Sequence, residues 1–223
     1  MHALLKKVFT RLFPTAGISL FSFFQLDAKV LPKVRYFDRM YDKIRNVEGD
    51  IVECGIGYSR TFQILCLLAD EEGKRRGVWG FDSFEGFPEP TAEDKSSRNP
   101  KKGEWKVMTL EQVYKILHII RIPHEYIEKH IHLVKGYFED TVPKSAVAKI
   151  ALLHLDVDLY ASYKVCLEHL FPKVAKGGIV LFDEYGSTAS FPGARKAIDE
   201  YFKSMPYTIS KDEASGKYFV VKI

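Results

Sequence analysis

The segment ALLHLDVDLY places Asp156 and Asp158 one residue apart where an apolar run stops, and GGIVLFDEYG ends the next such run on Asp183 and Glu184. Carboxylates brought together repel and raise one another's proton affinity unless a cation neutralises them. If the two runs are neighbouring strands, a hard divalent ion such as Mg²⁺ is the natural resident, because it takes oxygen ligands and keeps positions for water or substrate. Two open positions would accept a vicinal diol and make one hydroxyl more acidic; a carboxylate left off the ion would then take the proton. Either pair alone also reads as strand-end residues that cap helices. Their repetition on strands expected to be adjacent is what favours metal chemistry.

Two further stretches suggest a second ligand. In VECGIGYSRT an acidic residue, Glu53, closes an apolar run and is followed by Gly55, Gly57 and a helical pattern. Glycines let such a turn approach a ligand closely, and the helix start offers free N–H groups. A dinucleotide fingerprint would need a third glycine, yet Ser59 and Arg60 stand at that end of the turn. The next run ends in GFDSFEGFP, where Asp82, with Ser83 beside it, can accept two ribose hydroxyls; the alternative is a turn or cap residue. Nucleoside binding without a clear pyrophosphate site fits an adenosyl group carrying an amino acid, as in S-adenosylmethionine.

These residues need a scaffold that delivers them to one edge. Apolar runs at residues 50–55, 77–82, 131–136, 149–156 and 177–183 lack polar alternation and end at Gly or Asp, as buried parallel strands do. Helical periodicity fills the intervals with TFQILCLLADEEGKR, TLEQVYKILHII, SYKVCLEHLFPKV and GARKAIDEYFKSM. The alternation predicts an α/β fold with helices on both faces of a mostly parallel sheet. YTIS and KYFVVKI, around KDEASG, read as an antiparallel pair closing one edge, seven strands in all. Residues 89–105 are polar and aperiodic, a loop long enough to act as a lid or to be disordered.

A chain of 223 residues with 46% hydrophobic composition is one domain on this reading, residues 49–223, preceded by a helical extension over residues 1–48. A net charge of +4, scattered and without a basic aromatic stripe, argues against nucleic acid. The three cysteines, Cys54, Cys66 and Cys166, lie in apolar segments and imply a reduced compartment, so a cytoplasmic protein is expected. Leu4, Leu5, Val8, Phe9, Leu12 and Phe13 form an apolar helical stripe that suits packing on the domain or on a second copy better than stable membrane insertion.

With these residues assembled, the chain resembles the macrocin O-methyltransferase (TylF-type) family over about Gly49 to Phe202. The resemblance is carried by GDIVECGI, VWGFDSFEGFPEP, LVKGYFEDTVP, LLHLDVDLYASY, GGIVLFDEYG and PGARKAIDEYF in order. It implies a Rossmann-like class I methyltransferase fold and S-adenosylmethionine- and Mg²⁺-dependent methylation of a hydroxyl on a sugar or other small natural-product acceptor. It further implies that Glu53, Gly55 and Thr61 hold the methionine end of the donor and Asp82 its ribose. Gly136, Tyr137 and Phe138 would border adenine; Asp156, Asp183 and Glu184 would bind the metal, and Asp158 would be the general base. Gly57 and Ser83 complete the expected donor-binding set. The chain departs from the family pattern at Ser59–Arg60, where a Gly-Gly pair is usual, at Glu184, usually aspartate, and at Ala161, commonly acidic.

Alternatives on the same residues are a catechol-type O-methyltransferase, a nicotinamide-dependent oxidoreductase, against which the missing glycine counts, and a catalytically silent nucleoside-binding module. His154 shares a strand face with Asp156 and reads either as its partner or as a hydrogen-bonded core histidine. His130 and His132 have ligand-like spacing but no partner motif. Trp105, in the polar loop, could close over an acceptor.

Overall fold

The computed structural model describes residues 30–223. The apolar stripe at Leu4–Phe13, and with it most of the expected N-terminal extension, lies outside the described residues. The extension's last part is helix α1 (Val30–Asp42), which buries Tyr36, Phe37, Met40 and Tyr41. Strand β1 (Asp50–Cys54) follows, then α2 (Arg60–Glu72), β2 (Val78–Asp82), α3 (Leu110–Ile119), α4 (His124–His130) and β3 (Ile131–Lys135). After the short turn α5 (Phe138–Thr141) come β4 (Ile150–Leu155), α6 (Tyr160–Leu170), β5 (Val174–Phe182), α7 (Pro192–Phe202), β6 (Ser210–Lys211) and β7 (Tyr218–Val221).

The seven strands lie in the order β3-β2-β1-β4-β5-β7-β6, the first five mutually parallel and β7 antiparallel to both neighbours. The chain winds outward from β1 to β3, then crosses back to β4 and winds the other way. The order therefore reverses between β1 and β4, and the carboxyl ends of those two strands flank the crevice where open α/β sheets take their ligands. Every residue of β4 is buried, as its unbroken apolar run requires. Alternation splits the core in two. Ile51 and Leu152 face a cluster under α1 to α4, whereas Val52 and Leu153 face one under α6 and α7.

Some bounds differ from the sequence expectation, among them the first strand of the closing pair, which is Ser210–Lys211 rather than YTIS. Strand β5 starts at Val174, three residues before the glycines that were to open it, because the Pro172 turn ends α6 early. Helix α4, with Pro123 before its first turn, is only 7 residues long, too short for its period to show. The polar stretch at 89–105 is a bonded loop. Thr91 and Asp94 form a capping box around a 3₁₀ turn, Arg98 pairs with Glu104 at 2.6 Å, and Ser96 Oγ donates to Ser190 O. Among the described residues no helix is long and apolar enough to cross a membrane.

Candidate functional site

The glycine turn after β1 is built on its neighbours. Gly55 has φ +87°, and a Cβ there would lie 1.8 Å from Asp156 O, so this glycine lets the ends of β1 and β4 touch. Gly57, at φ +50°, has open space where a Cβ would go, and its surface is free for a ligand. Asp82, at the end of β2, holds the turn: Oδ2 accepts from Ile56 N and Gly57 N, and Oδ1 from Phe84 N. The turn role takes both lone pairs of Oδ2 and one of Oδ1, which leaves one lone pair, on Oδ1, for a ligand.

The same rim carries the acids. Asp156 and Asp158 follow β4, and Asp183 and Glu184 follow β5, its hydrogen-bonded neighbour. All four line one cavity of ≈ 420 Å³ together with Gly55, Gly57, Thr61, Asp82, Ser83, Tyr137 and Phe138. Of the residues expected to bind donor or metal or to act as base, Glu53 and Gly136 alone do not line it. Gly136 instead ties β3 to β2 through its N–H to Asp82 O. Glu53 lies behind the wall with no exposed surface, its Oε1 2.9 Å from His154 Nδ1 and its Oε2 without a partner. Phe37 of α1 covers that pair edge-on to the imidazole at 5.0 Å. His154 is thus paired with Glu53 on the adjacent strand. His132 packs tilted against Trp79 at 4.1 Å and His130 stacks on Tyr126 at 5.1 Å, which leaves their spacing with a packing role.

Oxygen atoms of Asp156, Asp158 and Glu184 lie within 4.8 Å of one another; a second group of that size joins Asp156 to Asp183 and His154. Asp183 and Glu184, adjacent in sequence, therefore fall in different groups that share Asp156. Burial, reinforced by Asp183, pushes the Asp156 carboxyl up to about 7. Burial and the neighbouring acids also hold Asp158 and Glu184 well above the carboxylate range. Asp183 is the exception: burial pushes it up, but Lys217 outweighs this and holds it low. The Tyr163 hydroxyl lies 2.9 Å from Leu155 O and 2.6 Å from Glu184 Oε2. Its one hydrogen serves one of them, and a protonated Glu184 would supply the other bond. Carboxylates this close, all oxygen donors and mostly driven toward the neutral form, suit a hard divalent cation whose charge would return them to the ionised state.

Several contributors come from outside the motifs. Lys33 of α1 lines the cavity and donates to Thr61 Oγ1 at 3.1 Å. Lys217 reaches Asp183 from the hairpin between β6 and β7. At the mouth Tyr58 and Trp105, 56% and 48% exposed, meet edge to face at 5.9 Å. Arg98 lies over the rings of Phe87 and Phe191, both of which line the cavity. Asp94 joins this loop to α6 by accepting from Tyr160 N at 2.8 Å. The Thr91–Asp94 spacing was the one sequence signal for it.

Comparison with known proteins places the chain in a family and a fold. A Streptomyces olivaceus 8-demethyl-8-(2,3-dimethoxy-alpha-L-rhamnosyl)-tetracenomycin-C 4'-O-methyltransferase is 34% identical over 161 residues, 70% of this chain and 58% of that protein. The demethyldecarbamoylnovobiocin O-methyltransferase of Streptomyces niveus is 29% identical over 161 residues, 70% of this chain and 59% of that one. The chain thus spans less than two thirds of the length of these curated relatives. Among solved structures, the calicheamicin methyltransferase CalS11 superposes with TM-score 0.75 at 24% identity, covering 88% of this chain and 80% of that one. The O-methyltransferase NovP gives 0.73 at 24%, covering 86% and 79%; at this identity both likenesses speak to the fold. The family model for macrocin-O-methyltransferase (TylF) matches residues 34–212, and the chain belongs to that family.

Proposed function

We propose that this protein is an S-adenosylmethionine-dependent O-methyltransferase that works with Mg²⁺ and methylates a hydroxyl of a sugar or other small natural-product acceptor. One observation carries the reading: a single cavity joins the Gly57–Asp82 turn, built to meet a nucleoside, to a four-carboxylate wall. The family and the names of the relatives support the acceptor class. Asp82 and Ser83 would take the ribose, Gly57 and Thr61 the amino-acid end, and Tyr137 and Phe138 the adenine face. Gly55 and Gly136 would act by shaping the turns, and Glu53 by holding His154 and the wall from behind.

Asp156, Asp183 and Glu184 would hold the metal. When bound, a divalent cation would supply Lewis-acid polarisation of an acceptor hydroxyl. Asp158 takes the hydroxyl proton. It lines the same cavity as the assigned metal ligands and is the carboxylate this assignment leaves free to accept a proton. The acceptor oxygen then forms a bond to the methyl carbon as the carbon–sulfur bond breaks, and its electron pair leaves with sulfur as a neutral thioether. The cavity walls contribute by aligning the two reactants and excluding water. Buried, unpaired Cys54, Cys66 and Cys166 support a reducing, cytoplasmic setting.

The test is methyl transfer from S-adenosylmethionine to a glycoside diol and to a catechol, with and without EDTA. Transfer to the glycoside that chelation stops and Mg²⁺ restores is the expected result. Transfer to the catechol alone would reassign the acceptor, and transfer unaffected by EDTA would remove the metal.

A further inference from the structure

Lys217 is the one basic side chain in direct contact with the acidic wall among the described residues. Its Nζ donates to Asp183 Oδ1 at 2.6 Å and to Asp183 O at 3.2 Å. Both side chains are partly shielded, 36% and 28% exposed. The pairing follows from topology: β7 is antiparallel to β5 with Tyr218 opposite Phe182, so the residue before Tyr218 faces the residue after Phe182.

Lys217 is held there from behind. The turn between β6 and β7 is closed by Asp212 N donating to Lys217 O at 2.8 Å and Gly216 N donating to Asp212 O at 2.7 Å. Asp212 Oδ2 also accepts from Ser215 N and Ser215 Oγ, and it is tied to α1 by Arg39 Nη2 at 2.7 Å. The ammonium is therefore delivered by a braced hairpin.

We propose that Lys217 is the affinity-setting counter-cation of the metal site. It neutralises Asp183 while no metal is bound, and its charge opposes the divalent ion that Asp183 would share. It is a positioning residue: its function is to keep the acid cluster folded without metal and the metal exchangeable. The inference rests on the cation reading of the preceding subsection. An ammonium and a dication on one carboxylate repel whether the lysine stays or is displaced, so its presence costs metal affinity in either case. Removing it has two opposite effects. The metal-free protein loses the partner of a partly shielded carboxylate next to other carboxylates, and the metal-bound protein loses a repulsion.

The experiment measures Mn²⁺ affinity by electron paramagnetic resonance and Mg²⁺ affinity by calorimetry on the wild type, Lys217→Met and Lys217→Arg, with thermal unfolding of each with and without Mg²⁺. Lys217→Met is expected to bind either ion about tenfold or more tightly, since charges a few ångströms apart interact strongly even at protein-surface dielectric. It is also expected to melt lower without metal and to gain more from Mg²⁺ than the wild type. Lys217→Arg, which keeps the charge, should stay near wild type. Lys217→Gln keeps a donor without the charge and should also bind metal more tightly, which covers the case of a Met variant that does not fold. Equal or weaker metal binding by the neutral variants, with wild-type binding intact, would overturn the role of Lys217 alone. No ion bound by the wild type or by any variant would overturn the cation reading and this inference together.

Discussion

Asp158 sits at φ +57°, a left-handed conformation that non-glycine residues seldom adopt and that Asn and Asp tolerate best. Burial keeps its carboxyl well above the usual range. These two facts select the informative substitution. Asp158→Asn keeps the backbone conformation and the side-chain volume and removes only the basic oxygen, whereas Asp158→Ala would add backbone strain to the loss. Turnover of Asp158→Asn is expected to fall about 10²- to 10⁴-fold, as for loss of a general base, with S-adenosylhomocysteine affinity little changed. Initial rates beside calorimetric titration of that ligand check it, and a fully active variant would remove Asp158 from the base role. The acids were legible because each ends an apolar run, where alternation and strand order fix which rim a side chain reaches. Lys33, Lys217 and Tyr163 were not. Lys33 lines the cavity from α1, whereas Lys217 of the β6–β7 hairpin and Tyr163 of α6 bond to Asp183 and Glu184, and nothing in their local patterns records contacts made across the fold.

The link between α1 and β1 shows how one side chain organises an element. Arg76, 7% exposed, donates to the backbone oxygens of Ile44, Arg45, Val47 and Gly49 and pairs with Glu72 of α2 at 2.6 Å. It clamps the segment that carries α1 over the Glu53–His154 pair. Arg76→Met takes one donor from each of those carbonyls and leaves the Glu72 carboxylate to Tyr41 and Lys74 alone, and is expected to cost about 3 kcal/mol in chemical denaturation. Burial raises the Glu72 carboxyl, but Arg76, with Tyr41 and Lys74, outweighs it and holds the group below its ordinary value. A depressed folded pKa contributes stability that is complete above the unfolded pKa and fades as pH falls through the folded one. The stability advantage of the wild type over Glu72→Gln is therefore expected to be constant at neutral pH and to vanish in acid below the glutamate range, by denaturant midpoints measured across pH. An advantage that grew on acidification would contradict the pairing. The strands were legible from their unbroken apolar runs, as was the antiparallel closing pair from its turn residues. The order of the 89–105 loop was not, because beside its internal pairs Ser96 and Asp94 also bond to Ser190 and Tyr160, far along the chain, and no local pattern records those contacts.

At the scale of the whole molecule the crevice lies between β1 and β4, where the winding of the sheet reverses. Both halves contribute to one cavity, so a ligand that fills it bridges the β1–β2 side to the β4–β5 side and binds only the folded chain. Such a ligand stabilises by mass action, about 2.7 kcal/mol at a hundredfold excess over its dissociation constant. For a domain of this size about 1 kcal/mol moves the melting temperature by about 2–4 °C. S-adenosylhomocysteine at that excess is accordingly expected to raise Tm by about 5–10 °C in differential scanning fluorimetry. NAD⁺ is expected to leave it unchanged, because Ser59 and Arg60 occupy the turn where a pyrophosphate would need bare backbone. On the proposed assignment Mg²⁺ should add a separate increment, since it would bind the carboxylate wall and the donor the glycine turn. A rise with NAD⁺ and none with S-adenosylhomocysteine would turn the crevice into a dinucleotide site and leave the acidic wall without a methyl donor to serve.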